Sequence, residues 1–503
     1  MRKMKFAAIT MTLAALLITS CKNSSDSSAS SGPTIYEEPV YERYDDSQYA
    51  ANVDSEGYSL IDIYGLNDFH GALARNEDEQ YPGIARLNKY LLNEREQNKG
   101  GTVFIASGDM WQGSAESNIS RGKIVNETMN YMGFEAMALG NHEFDWSIEQ
   151  IEINRAEALF PYLGSNIIYE DSRERVDFVD DSPLIERDGV KIGIIGTMGS
   201  DLEDTIQTSL IENIEFDLMT SYVEEEAASL RAQGADIVIL ATHDSWVESS
   251  LRPERLDLLN NKTIDAVFGG HQHVYDKHER NGIPILQTNA YGRAVMHVQF
   301  RYNKTTKDLQ VGTYDVVEDI FTMDLGEDKI TQDIYNYYYQ EFAIDEIKNE
   351  VVGNLINRDL NRSAIARLAV KVMHDAYEKD NVVGAFHNIN GGVRVEKMVQ
   401  GPVTYGQIYQ AFPFDNEIYI VRLIGVRLKG LMSFAGNFAY HFSIDYNDVE
   451  DFEYYYVATI SFIYEMDGSP VSGTQFENKG TFTRDLIADY FRAAQNVDGN
   501  EYY

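Results

Sequence analysis

Four things are scarce in these 503 residues. There is a single cysteine, Cys21, so no disulfide can form within the chain. Positive charge is thin: 42 Lys+Arg stand against 80 Asp+Glu, a formal net charge of −38. No basic cluster occurs beyond residue 5, which argues against binding a nucleic-acid polymer. An anionic ligand would need local positive charge, from metal ions or a few placed arginines. Long apolar runs are also missing. The run from Phe6 to Ile18 is too short for a comfortable transmembrane helix. Histidine is the fourth scarcity, with ten copies, and the places where they fall carry most of the information.

The amino terminus reads as an export signal. Arg2, Lys3 and Lys5 precede the short apolar run, and Ile18-Thr19-Ser20-Cys21 follows it. That tetrapeptide resembles a bacterial lipobox, in which the Cys thiol takes a diacylglycerol and becomes the mature terminus. The resemblance implies a leader over residues 1–20, lipidation of Cys21 and a location in the bacterial cell envelope. The anchor would be the only contact with a membrane. Residues 22–34 are Ser-rich, and residues 35–57 are acidic and Tyr-rich without periodicity. Together, residues 21–57 read as a flexible tether.

The remainder is too long for one hydrophobic core, and two domains of unequal size are expected. Apolar runs at 60–66, 102–106, 136–139, 190–195, 235–241, 266–268, 283–287 and 294–300 read as strands. Helical spacing appears between them, as at Ile84, Leu87, Tyr90 and Leu91 and over residues 121–133. Strands alternating with helices indicate an α/β domain over 58–325. Residues 326–350 read as a linker helix. A smaller α+β domain is expected over 351–503, with a helix at 363–379.

Five of the apolar runs end in polar turns. These are Asn67-Asp68-Phe69-His70-Gly71, Ser107-Gly108-Asp109, Gly140-Asn141-His142-Glu143-Phe144-Asp145, Thr242-His243-Asp244 and Gly269-Gly270-His271-Gln272-His273. Five of the ten histidines lie in them. In α/β sheets, ligands collect at the carboxyl ends of strands. The pairs Asp68/His70 and His271/His273 are two apart, so on an extended segment each pair would point one way. Asp68, His70, Asp109, Asn141, His243, His271 and His273 are too many donors for one tetrahedral ion and suit two. Imidazole, carboxylate and carboxamide together favour Zn, Mn, Co or Fe over Mg or Ca. Asp109, with two oxygens, is the candidate bridge. His278, His297, His374, His387 and His441 lack this context and read as packing or surface residues.

These motifs, in this order, resemble those of the calcineurin-like metallophosphoesterases. Gly108-Asp109-Met110-Trp111-Gln112-Gly113-Ser114 and Gly140-Asn141-His142-Glu143-Phe144-Asp145 are similar to the 5′-nucleotidase/UDP-sugar hydrolase branch. The resemblance implies an α/β sandwich holding two divalent ions. One would lie among Asp68, His70, Asp109 and His273, the other among Asp109, Asn141, His243 and His271. It also implies a His142–Asp145 pair that stabilises the transition state or assists the leaving group. Two such ions lower the pKa of a water and neutralise phosphoryl oxygens. Glu143 reads as support for the turn.

The second domain is similar to the 5′-nucleotidase C-terminal domain through Gly391-Gly392-Val393-Arg394 and Pro413-Phe414-Asp415-Asn416. That similarity implies substrate contacts from Asn390, Arg394 and Phe414, and from Arg358 and Arg362 as a phosphate-binding pair. The substrate expected is a small nucleotide or other phosphoester, most of all a 5′-nucleotide. Two readings compete: a 2′,3′-cyclic phosphodiesterase/3′-nucleotidase, and a non-catalytic lipid-anchored binding protein.

Overall fold

The computed structural model describes residues 36–503 apart from Ala435 and Asp467. The leader, Cys21 and the Ser-rich stretch lie outside the described residues. Among the described residues no helix is long and apolar enough to cross a membrane.

Two six-stranded sheets pack face to face in the first domain. The first runs Asp308–Val317, Val295–Asn303, Ser59–Leu66, Thr102–Ser107, Ala136–Ala138, Tyr162–Leu163, and the second runs Asp276–Arg280, Ile283–Gln287, Ala266–Phe268, Ile237–His243, Val190–Met198, Leu184–Arg187. Their central neighbours are parallel. The alternation of strand side chains decides the layering. Ile61, Ile63, Val103 and Ile105 face Ile192, Ile194, Ile237 and Ile239 between the sheets. Tyr64, Leu66 and Phe104 point the other way, toward helices Ile84–Gln97 and Lys123–Met132. The second sheet presents Val238 and Leu240 to helices Met219–Ala232 and Pro253–Asn260. Central strands covered on both faces explain the continuous apolar runs in the sequence. Each fully buried Ile or Val contributes roughly 1.5–3 kcal/mol.

Residues 36–57 behave differently from the expected tether. They lie along the first domain. Asp46 and Arg95 form an ion pair at 2.7 Å with both side chains buried, and the Arg95 guanidinium lies 4.2 Å from the Phe104 ring. The rings of Tyr41 and Tyr44 each lie 5.5 Å from that of Tyr131. The segment lacks periodicity because it is bound side chain by side chain, not through a repeating face.

The 326–350 segment also differs from a single linker helix. It holds two helices, Lys329–Glu341 and Ile344–Lys348. Asp328 caps the first by accepting from Thr331 N, and the helix buries Thr331 and Ile334.

The second domain has a five-stranded sheet in the order Phe438–Phe442, Val382–Asn388, Tyr454–Ile460, Glu417–Ile424, Gln475–Phe482. Helices Arg362–Tyr377 and Thr483–Ala494 supply Leu368, Val372, Ile487 and Phe491 to its core.

Candidate metal centre and adjoining cavity

The five polar turns leave the carboxyl ends of neighbouring strands and converge. Three of the five do so through left-handed backbone. Asp68, His70, Asp109, His271 and His273 have φ of 50°, 48°, 54°, 75° and 52°. The extended geometry expected for the Asp68/His70 and His271/His273 pairs is therefore absent, and each pair turns its side chains inward by folding the chain. Non-glycine residues held in this region cost of order 1–3 kcal/mol each and persist where the surroundings fix them. Glycine permits the closest approach: a Cβ on Gly140 would lie 2.3 Å from Asp109 Oδ1.

Asp68, His70 and His273 bring one donor atom each within 4.8 Å of one another, and Asp109, His243 and His271 do the same. His273 Nε2 is 3.2 Å from Asp68 Oδ1. Asp109 Oδ2 lies between the two groups, 3.9 Å from His70 Nε2 and 3.1 Å from His243 Nε2. Asn141 Oδ1 is 3.1 Å from His243 Nε2 and 3.2 Å from His271 Nδ1. All seven residues named as metal donors thus share one neighbourhood.

The donor chemistry fits two divalent ions. His70 Nε2 and His273 Nε2 face each other at 3.0 Å, an arrangement in which at most one nitrogen can donate. The outer nitrogens are already committed: His70 Nδ1 to Gln112 O and His243 Nδ1 to Ser107 O, both at 2.8 Å. This leaves the inner nitrogens for a metal. Burial opposes charge on His243, yet the Asp109 carboxylate pushes its pKa up to about 10. Burial also opposes charge on Asp68, yet His273 and His243 hold its pKa down at about 2. Burial lowers His271 to about 4.

Glu143 does what its place in the turn suggested. Its carboxylate accepts from Gly140 N at 2.7 Å and from Asp109 N and Met110 N, both at 2.8 Å, stitching two ligand loops together. Burial and the Asp109 charge push its pKa up to about 7.

His142 and Asp145 form the second feature. His142 Nδ1 is 2.8 Å from Asp145 Oδ2, as a 3-10 turn over Asn141–Trp146 allows. Burial works against an imidazolium here, but Asp145 and Asp109 raise the His142 pKa above its usual value.

A cavity of about 430 Å³ opens beside this pair. Asn141, His142, Asp145 and His271 form one wall; Asn390, Arg394, Phe414, Phe438, Phe462 and Met466 come from the second domain. The Phe414 ring lies 5.5 Å from the His142 ring at 29°, and Arg394 lies 5.6 Å from Phe414. The Pro413–Asn416 loop is held in place: Pro413 O accepts from Asn118, Phe414 O from Arg484, and Asp415 from Arg121 and Arg484.

Arg358 and Arg362 are not brought to this cavity. Arg358 stacks 3.4 Å over Tyr503, and Arg362 donates to Glu396 at 2.6 Å. Arg358 precedes the helix that begins at Arg362, so their four-residue spacing does not place them on one face. Sequence reasoning misses Phe438 and Phe462. Neither sits in a motif, yet both line the cavity.

Comparison with known proteins agrees with this geometry. Residues 61–275 match the model for calcineurin-like phosphoesterase, and residues 346–475 match that for the 5′-nucleotidase C-terminal domain. The chain is a calcineurin-like phosphoesterase with a 5′-nucleotidase C-terminal domain. Relatives of this phosphoesterase include endonuclease YhcR of Bacillus subtilis, 25% identical over 74% of this chain and 32% of that protein. The match therefore spans about a third of YhcR. Protein UshA of Yersinia enterocolitica is 23% identical over 83% of this chain and 82% of UshA. The structure resembles a 5′-nucleotidase precursor from Thermus thermophilus, with a TM-score of 0.69, 18% identity and coverage of 87% and 97% of the two chains. The phosphoesterase is thus a hydrolase of phosphate esters that works with two divalent metal ions.

Proposed function

We propose that the enzyme hydrolyses 5′-nucleotides to nucleosides and phosphate. The observation that carries this reading is the aromatic cavity beside the metal donors. A site for inorganic phosphate alone needs no slot walled by Phe414, Phe438 and Phe462, whereas a nucleobase does, since base stacking on aromatic rings is worth ~1–3 kcal/mol per base. Bound among Asp68, His70, Asp109, Asn141, His243, His271 and His273, two divalent cations would supply Lewis acidity toward phosphoryl oxygen and an activated water. The chain's own groups do the rest. Arg394 offers a planar fork to phosphate oxygens. With Nδ1 of His142 held by Asp145, Nε2 is the nitrogen left to meet the substrate. A protonated His142 there would stabilise charge on the phosphoryl group or deliver a proton to the departing ribose oxygen. Asn390 and Phe414 would position the nucleoside.

Phosphate release from AMP and UMP, compared with UDP-glucose and 2′,3′-cyclic AMP, tests the reading. Faster turnover of the cyclic nucleotide would replace it with a cyclic phosphodiesterase. No turnover of any phosphoester by metal-loaded enzyme would overturn it. The same reading takes the enzyme to the cell envelope, with Cys21 lipidated. Export is supported by the basic and apolar residues ahead of Cys21. Release of Cys21→Ser protein from the membrane fraction checks the anchor.

A further inference from the structure

A further cluster of side chains with the chemistry to ligate a metal lies in the C-terminal domain, away from the donors described above. His374 and Asp375 sit near the end of helix Arg362–Tyr377, and His441 sits on strand Phe438–Phe442. That strand is the edge of its sheet and, among the described residues, pairs only with Val382–Asn388. The helix packs across it, bringing the His374 and His441 rings to 4.7 Å at 63°. One donor atom from each of His374, Asp375 and His441 falls within 4.8 Å of the other two.

Two details set this cluster apart from ordinary packing. The His374 side chain is only 5% exposed, and its Nε2 is buried without a hydrogen-bond partner among the described residues. A buried polar atom left unpaired is costly to the folded state. Asp375 is also aimed in a way that suits a ligand. Lys371 Nζ holds Oδ2 at 2.5 Å, while Oδ1 lies 3.0 Å from His374 Nδ1. Ligating carboxylates are themselves hydrogen-bonded by their surroundings, and Lys371 supplies that contact here.

We infer that His374, Asp375 and His441 form a further metal site, taking one zinc-class divalent cation. Two imidazoles and one carboxylate suit Zn²⁺, Co²⁺ or Ni²⁺ better than Mg²⁺ or Ca²⁺. Three protein ligands leave a position for water. Such an ion ties the helix end to an edge strand that otherwise has one hydrogen-bonded neighbour. The strand begins at Phe438, in the cavity wall. Asn437 just before it exchanges hydrogen bonds with Asn390, at 2.9 Å and 3.0 Å. The ion therefore braces the side of the cavity that holds Phe438 and Asn390, and it touches no reacting atom.

The test uses the full chain, loaded with Zn²⁺, desalted and assayed for zinc by mass spectrometry. His441→Ala and Asp375→Asn each retain one zinc fewer per chain than wild type, while hydrolysis of a nitrophenyl phosphate stays within about twofold. Zn²⁺ raises the wild-type Tm by more than it raises that of His441→Ala. Asp109→Ala loses zinc from the phosphoesterase domain and keeps the C-terminal ion, so failure of the dinuclear reading is seen separately. His441 is half-buried on an edge strand, and a circular dichroism spectrum confirms that its variant folds. Equal zinc content in wild type, His441→Ala and Asp375→Asn overturns the inference. So does loss from His441→Ala of the same ions that Asp109→Ala loses.

Discussion

Asp145→Asn isolates what the carboxylate does for His142. The two side chains meet at 2.8 Å with both largely shielded from water. Taking charge centres about 4 Å apart and an effective dielectric of ~20, their attraction is about 4 kcal/mol. Burial of the imidazolium offsets part of this, so the shift from an opposite charge is typically ~1–3 pKa units, or about 1.4–4 kcal/mol. The sign follows from the raised pKa of His142. The protonated form persists below that raised value and is lost as pH rises through it. Removing the carboxylate charge brings the loss to lower pH. The kcat profile of Asp145→Asn should therefore have its alkaline limb displaced by ~1–3 units toward acid. At pH 8, kcat should fall ~10–1,000-fold, whereas at pH 5 the two enzymes converge to within about tenfold. KM and the metal content should change little. An alkaline limb that stays in place refutes protonated His142 as the working form. A variant that loses its metal ions refutes the division between this pair and the metal donors.

Four further outcomes follow from the same geometry. Asp109→Ala removes the oxygen between the two donor groups, so it should lose turnover by at least ~1,000-fold together with bound metal, read by phosphate release and metal analysis. Arg394→Ala should raise KM for AMP by about 10–100-fold, since a hydrogen bond to a charged group is worth ~1.5–3 kcal/mol; Arg358→Ala should leave KM within about twofold. Asp46→Asn strips the partner from buried Arg95 and should destabilise the protein by ~3–5 kcal/mol, seen as a lower Tm with kcat retained. Chelation of the metal ions should abolish hydrolysis yet leave the far-ultraviolet circular dichroism spectrum unchanged.

The metal donors were legible because they break the local pattern. A strand buried on both faces is apolar throughout, so His or Asp at its carboxyl end stands out. Ten histidines in the chain made the concentration of five easy to see. What the sequence hid was conformation. Nothing in Asp68-Phe69-His70 announces two left-handed residues, and the inward convergence comes from those turns. The cavity wall was only half readable. Phe414 sits in a recognisable loop, but Phe438 and Phe462 lie in separate elements, and tertiary packing alone makes them neighbours. Arg358 and Arg362 misled because the four-residue rule holds only inside a helix, and the helix starts at the second of them. Residues 36–57 misled for the opposite reason: binding through isolated contacts such as Asp46–Arg95 leaves no period to detect.

The strained loops also bear on whether the ions build the centre or enter it. Asp68 N donates to Gly108 O at 3.0 Å, His70 N to Asp109 O at 2.9 Å and Gly71 N to Met110 O at 3.0 Å. These bonds tie the first ligand loop to the second. Glu143 ties the second to the third through three backbone N–H groups. Each loop leaves a strand whose neighbours are buried in the sandwich, so collapse of the site would require breaking the core. Of the five left-handed residues, at ~1–3 kcal/mol each, Asp68, His70 and Asp109 are thus held by hydrogen bonds from their own backbone N–H groups. A donor set fixed in advance needs little rearrangement when ions bind, and hydrogen-bond donors and charges already in place act on the transition state without reorganising. The glycines serve this rigidity as much as the charged residues do. A Cβ at Gly108 would meet Gly140 N and His243 Nδ1 at 2.7 Å, forcing apart the two loops that must stay close for Asp109 Oδ2 to lie between the two donor groups.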